Sequence, residues 1–128
     1  MFGRLTTVAV ASALLAGAMS FPAAAQQVKA ADELKAIFAG NTAYITHRNG
    51  STQKALIRAD GTAKITQRAG AFKEAKWTIE GDSICHDLST ERKCYKVYKK
   101  GGTAYELVSH DMEWKPVYDM KPGNPENF

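Results

Sequence analysis

The run Ala55-Leu56-Ile57-Arg58-Ala59-Asp60-Gly61-Thr62-Ala63-Lys64-Ile65-Thr66-Gln67 decides the fold. Two β-prone segments flank Asp60-Gly61, a dipeptide favoured where turn residues take positive φ, so the stretch reads as an antiparallel hairpin with a two-residue turn. That turn predicts that Leu56 faces Ile65 and Arg58 faces Ala63, with Leu56 and Ile65 on the core side. Outward from it the same punctuation recurs at Asn49-Gly50, Glu80-Gly81-Asp82 and Gly101-Gly102. Between these signals lie about seven or eight short runs, near 42–48, 53–59, 62–68, 74–80, 83–88, 93–100, 103–109 and 113–119. The expected fold is therefore mainly β: a small antiparallel meander, closed as a barrel or packed as a sandwich. At Gly101-Gly102, Tyr98 is expected to face Tyr105 as a cross-strand aromatic pair.

One segment reads as helix, residues 30–39, with Asp32 and Glu33 in its first turn and Leu34, Ile37 and Phe38 at i, i+3, i+4 spacing before Gly40-Asn41. A helix of about ten residues does not hold itself in water, so this apolar stripe must dock on the sheet. At the other end Pro122 and Pro125 cannot continue a strand, which makes residues 121–125 an ordered or frayed tail.

Residues 1–25 carry the parts of a secretory signal: Arg4, an apolar run over 5–19, and Ala23-Ala24-Ala25 as an A-x-A cleavage site. The mature chain is then expected to begin at Gln26 as a single domain over residues 26–128, periplasmic or secreted. The apolar run is too short to span a bilayer, and Cys85, the first cysteine, lies far from any lipoprotein acylation position. Stable membrane insertion is not expected. The whole chain carries +4, and loss of Arg4 leaves +3. The basic stretch Arg92, Lys93, Lys96, Lys99 and Lys100 alternates with apolar positions as the wet face of a strand does, and nucleic acid is not an expected partner after export.

Export also bears on Cys85 and Cys94, which are separated by eight residues with a turn candidate at 89–92. They read as a disulfide across a hairpin or pinning its loop. A redox-active pair would need C-x-x-C at a helix start, which is missing here.

The chemistry-bearing residues form no recognisable catalytic set. His86-Asp87 and His110-Asp111 are adjacent in sequence, and adjacent strand residues point to opposite faces, so neither pair makes a dyad. There is no G-x-S-x-G or H-E-x-x-H, and no cofactor is implied. His110 and Met112, at i, i+2 spacing on an expected strand, are a candidate soft-metal pair, with Met120 as a further thioether, although Met112, Trp114 and Tyr118 also read as an inward core stripe. Asn49-Gly50-Ser51 is a glycosylation sequon that would be inert in a Gram-negative periplasm. The aromatic side chains are the better clue: Tyr44, Trp77, Tyr98, Tyr105, Trp114 and Tyr118 are the candidate ligand-binding residues, since a small barrel either buries such rings or lines a mouth with them.

Taken together, Gly40-Asn41-Thr42 after a short helix, the Asp60-Gly61 turn, Trp77-Thr78-Ile79 leading to Ile84-Cys85, then Cys94 and Gly123-Asn124-Pro125, form a layout that resembles small exported proteobacterial proteins grouped as "domain of unknown function 995". One departure is Ala75, where the group would have glycine two residues before the tryptophan. The resemblance implies a periplasmic setting and a small disulfide-bonded β fold, and it implies no activity. The function expected from the residues is non-enzymatic binding of a small apolar or cyclic ligand in the cell envelope. The alternatives are an envelope adaptor or inhibitor acting through a protein surface, and a small secreted enzyme or metal-binding protein. An adaptor would show an exposed apolar patch, and a cavity binder would show rings converging inward.

Overall fold

The computed structural model describes Gly3 and residues 26–67, 70–88 and 91–128. The secretory signal read over 1–25 lies outside the described residues apart from Gly3, as do Ser89 and Thr90 of the turn between the cysteines. Among the described residues the elements are β1 (Gln26–Val28), α1 (Ala31–Phe38), β2 (Asn41–Thr46), β3 (Thr52–Ile57), β4 (Thr62–Thr66), β5 (Phe72–Glu80), β6 (Ser83–Leu88), β7 (Glu91–Gly101), β8 (Ala104–Val108) and β9 (Val117–Lys121). From β2 to β9 every strand pairs antiparallel with the next in sequence, and β9 returns to pair with β2. The meander is a closed eight-stranded barrel, which leaves no long sheet edge open.

Strand β1 is the extra, ninth strand, and its three residues were too few to read in the sequence. Val97 pairs with both Val28 and Leu107, and Lys96 with both Ser83 and Val108. Strands β1 and β6 therefore share one edge of the long β7, end to end, with β8 on the other. Helix α1 then packs against β2, β5 and β6 and plugs that end of the barrel. The expected stripe docks as anticipated: Leu34 and Phe38 are fully buried and Ile37 packs against the core. The helix stops where Gly40 takes φ +77° and Asn41 Nδ2 donates to the Ile37 carbonyl at 2.9 Å.

Three expectations of register and extent are corrected. At Asp60-Gly61 the observed partners are Ile57 with Ala63 and Leu56 with Lys64. The Arg58 N–H bonds the Thr62 carbonyl and the Gly61 N–H bonds the Arg58 carbonyl, so the loop has three residues, with Gly61 alone at positive φ. The one-residue slip turns Leu56 outward, while Ala55, Ile57, Ala63 and Ile65 face the interior. At Gly101-Gly102 an irregularity between Lys99 and Gly101 pairs Tyr98 with Glu106 and Lys99 with Tyr105, placing Tyr98 and Tyr105 on opposite faces. The last strand begins at Val117 rather than near 113, and the one before it ends at Val108 rather than 109, so residues 109–116 form a loop. Pro116 cannot donate to a ladder, and its carbonyl instead accepts from Leu107 N–H at 3.0 Å.

Cys85 and Cys94 stand directly opposite each other on β6 and β7 and are bonded at 2.13 Å. They point away from the interior, which assigns Ile84, His86, Lys93, Tyr95 and Val97 to the inner face. The tail after β9 is ordered as a strap across the outside of β2 to β5. Thr42 Oγ1 donates to the Gly123 carbonyl at 2.7 Å, Glu126 accepts from Tyr44 and pairs with Lys54, and Phe128 packs on Phe72. This strap lies over the face to which Leu56 is turned, and Leu56 is buried although it points outward.

Candidate ligand-binding cavity

The inward row of β2 to β5 contains Ala43, Ala55, Ala63 and Ala75, paired as Ala43 with Ala55 and Ala63 with Ala75. Of these, Ala55, Ala63 and Ala75 line the interior together with Ile45, Ile57 and Ile65, so this wall is wholly apolar and leaves room where the alanines stand. The opposite wall is built from β6, β7 and β9, whose inward positions hold His86, Tyr95 and Tyr118. The space between is a cavity of about 290 Å³, at the small end of ligand pockets, which run from ~300 to 1,000 Å³.

Its floor is the helix-plugged end. Phe38 meets Tyr118 edge-on with ring centroids 6.5 Å apart and Tyr105 at 6.4 Å. These contacts seal the cavity from α1 and hold the Tyr118 ring across the barrel. Trp77 forms part of the side wall and is fixed twice by the β3–β4 turn: its indole Nε1–H donates to the Arg58 carbonyl at 2.8 Å and its backbone N–H to the Gly61 carbonyl at 2.9 Å. The mouth is at the opposite end, where loop 109–116 brings Met112, Trp114 and Pro116 to the lining. Trp114 stacks on His47 at 5.6 Å between centroids, and His47 Nε2 is 2.9 Å from Gln53 Oε1. A second, more open groove of about 740 Å³ runs outward from this stack over residues 47–53 and 66–67.

The polar groups of the interior are few. His86 sits 5.5 Å from the Tyr95 ring and 6.5 Å from the Tyr118 ring, centroid to centroid. Burial in this apolar setting lowers its pKa to about 4, and the neighbouring Asp87 offsets only part of that, so the imidazole is neutral at pH 7. Burial pushes the Tyr118 hydroxyl up, with Tyr95 adding to the shift. Tyr95 is raised by burial first and by Asp111 and Glu91 next, and its hydroxyl lies 3.8 Å from the Met112 sulfur. Among the described residues neither ring nitrogen of His86 nor the Tyr118 hydroxyl has a hydrogen-bond partner. None of these atoms is sealed off from the cavity, where a ligand or water can reach them.

Of the aromatic residues expected at a ligand site, the structure brings Trp77, Trp114 and Tyr118 to the cavity. Tyr105 lies beneath it against Phe38. Tyr44 and Tyr98 are not part of it: both face outward, Tyr44 bonded to Glu126 and Tyr98 paired with Gln27 and Glu106. The soft-metal pair does not form on one strand face. His110 and Met112 lie in the 109–116 loop, with His110 exposed on the outside, Met112 at the cavity and Met120 buried beside Ala43 on β9. Cys85 and Cys94 approach Glu80, and as a disulfide they offer no thiolate to a metal. The histidines stand apart, one at the mouth, one inside and one outside.

His86, expected at no ligand site, and Tyr95, legible only as one large ring among several, also line the cavity. The signal was available in the cysteines: a cross-strand disulfide joins residues on one face, so the residues flanking each cysteine must share the other. No protein-family profile, curated protein or solved structure gives a match to this chain.

Proposed function

We propose that this protein binds one small, largely apolar or cyclic ligand inside its barrel and acts without catalysis in an exported, oxidising compartment. The observation that carries the reading is the interior itself: an alanine-lined wall faces a neutral imidazole and a tyrosine hydroxyl that have no protein partner among the described residues. Both open onto the cavity, where a ring-sized ligand carrying a hydroxyl or carbonyl can bond them in place of water. Rings converge inward, whereas Phe72 is the one exposed large apolar side chain among the described residues, and it packs on Phe128. That distribution favours a cavity binder over an adaptor surface.

The Cys85–Cys94 bond is compatible with a periplasmic or extracellular setting, and no helix among the described residues is long and apolar enough to cross a membrane. Cleavage after Ala25, residence in a periplasm and membership of the exported group with the "domain of unknown function 995" layout belong to the same proposal. A secreted species starting at Gln26 and two hydrogens lighter than its dithiol form checks the first two.

The binding test is a fluorescence titration with 1-aminoanthracene, a neutral three-ring probe. The native chain is expected to give saturable, blue-shifted emission, and Ala75→Phe, which puts a ring into the cavity, is expected to weaken it at least tenfold while unfolding stays cooperative. Equal binding by a folded Ala75→Phe chain would place the probe elsewhere and overturn the reading.

A further inference from the structure

Resting on that reading, we infer that the ligand is a small carboxylic acid with an aromatic or cyclic body, held with its carboxylate at the mouth on Lys73 and its ring between the alanine wall and Trp77.

Lys73 is on the inner face by register. It pairs with Ile65 on β4 and lies two and four residues before Ala75 and Trp77, so all three share a face of β5. It lines the cavity near the mouth and is half-buried. Among the described residues it has no ion pair, and no aspartate or glutamate lines the cavity. A lysine at the mouth with no protein counter-charge is free to meet the anionic end of a ligand with a charge-assisted hydrogen bond. The other inward lysine, Lys93, is already engaged, with Nζ 3.7 Å from Glu91 and 3.9 Å from the Met112 sulfur. Asp111, the acidic residue of the mouth loop nearest Tyr95, is bonded to Ser109. Lys76 also borders the cavity, but it is exposed and alternates to the outer face of β5, so among the described residues Lys73 is the inward-facing lysine left to a ligand. The remaining polar lining at the mouth is His47, whose Nε2 is engaged with Gln53 Oε1 at 2.9 Å, and the neutral amides of Gln53 and Gln67. Deeper in, a neutral imidazole and a phenol can bond a hydroxyl or carbonyl on the ring and offer nothing to a second charge.

Size limits the class further. The cavity has the volume of roughly ten waters at ~30 Å³ each, which suits a one- or two-ring acid and excludes a long acyl chain or a sterol.

The test uses three matched probes, 2-naphthoate, 2-naphthamide and 2-naphthylmethylammonium, titrated calorimetrically into the native chain, Lys73→Met and Lys73→Arg at pH 7 and low salt. The native chain is expected to bind naphthoate at least tenfold more tightly than the amide, and the ammonium most weakly. Lys73→Met is expected to erase the preference, bringing naphthoate and amide to equal affinity, and Lys73→Arg to keep it. Equal binding of naphthoate and amide by the native chain, a measurement that needs no variant, overturns the inference while leaving cavity binding intact. A preference that survives in Lys73→Met also overturns it. Failure of all three probes to bind removes the cavity reading itself.

Discussion

Lowering the pH from 7 to 4 should destabilise this fold through one side chain, His86. Its pKa is about 4 in the folded barrel against an ordinary 6.5, so between those values the unfolded chain binds the proton and the folded chain does not. Stability therefore rises with pH across that window, is fully present above about 6.5, and is progressively lost as pH falls toward 4. At ~1.36 kcal/mol per pKa unit the depression corresponds to roughly 3 kcal/mol, a large share of the ~5–15 kcal/mol that holds a small domain together. Water in the cavity would reduce the figure without changing its sign. The acidic groups begin to add to this loss only from about pH 4.5 downward, the ordinary value for Glu126, so the slope between pH 6.5 and 4.5 belongs to His86. Asp60, Asp111, Asp119 and Glu126 all have lowered pKa values through hydrogen bonds from neighbouring side chains, so what they contribute is lost only as the carboxylates protonate at lower pH. Urea unfolding followed by circular dichroism at half-unit pH steps is the assay. With an m-value of ~1–3 kcal/mol per molar, the midpoint should fall by about 1–3 M between pH 7 and 4. His86→Gln, which keeps a polar side chain and removes the titration, should flatten that slope. A native chain with a flat profile from pH 6.5 to 4.5, or a His86→Gln chain with the native slope, would refute the burial argument.

Other consequences concern the scaffold. Replacing Cys85 and Cys94 by alanine should cost about 2–3 kcal/mol, the loop-closure value for so short a loop, read from urea midpoints at pH 7. Gly61→Ala puts a Cβ on a residue at φ +90° with only an ordinary 3.5 Å contact to the Trp77 carbonyl. The loss of ~1–3 kcal/mol expected is therefore backbone strain, and tryptophan emission should change because this turn holds Trp77. Ending the chain at Lys121 removes the acceptor of the buried Thr42 hydroxyl and uncovers Leu56. A loss of roughly 1–3 kcal/mol with new binding of a surface hydrophobic dye is expected, and an unchanged melting curve would show that the strap contributes nothing.

The sequence carried the architecture and withheld the parity of its strands. Turn signals at Asp60-Gly61 and Gly101-Gly102 located hairpins, and the Leu34, Ile37, Phe38 stripe located the helix, because both depend on local chemistry. Which face each residue takes depends on loop length to a single residue. Asp60-Gly61 serves a two-residue turn or a three-residue turn with a bulge, and the two choices invert the partner of Leu56. The same sensitivity separates Tyr118, inside, from Tyr44 and Tyr98, outside. The cavity was illegible for a further reason: small residues such as Ala55, Ala63 and Ala75 give no signal of their own in a sequence, and they matter only once closure sets them opposite Tyr95 and His86. Aromatic abundance pointed toward a lined interior, and the alanines make the room.

The proposed function stands or falls with binding inside the barrel. The most direct measurement is a two-dimensional ¹H–¹⁵N spectrum of the native chain titrated with 2-naphthoate, following the indole N–H signals of Trp77 and Trp114 and the backbone amides of Ala55, Ala63, Ala75 and His86. Saturable shifts are expected at both indoles and at these inward positions, with the outward Tyr44 and Tyr98 amides unmoved. Shifts confined to outward residues, or none up to millimolar probe, would contradict it.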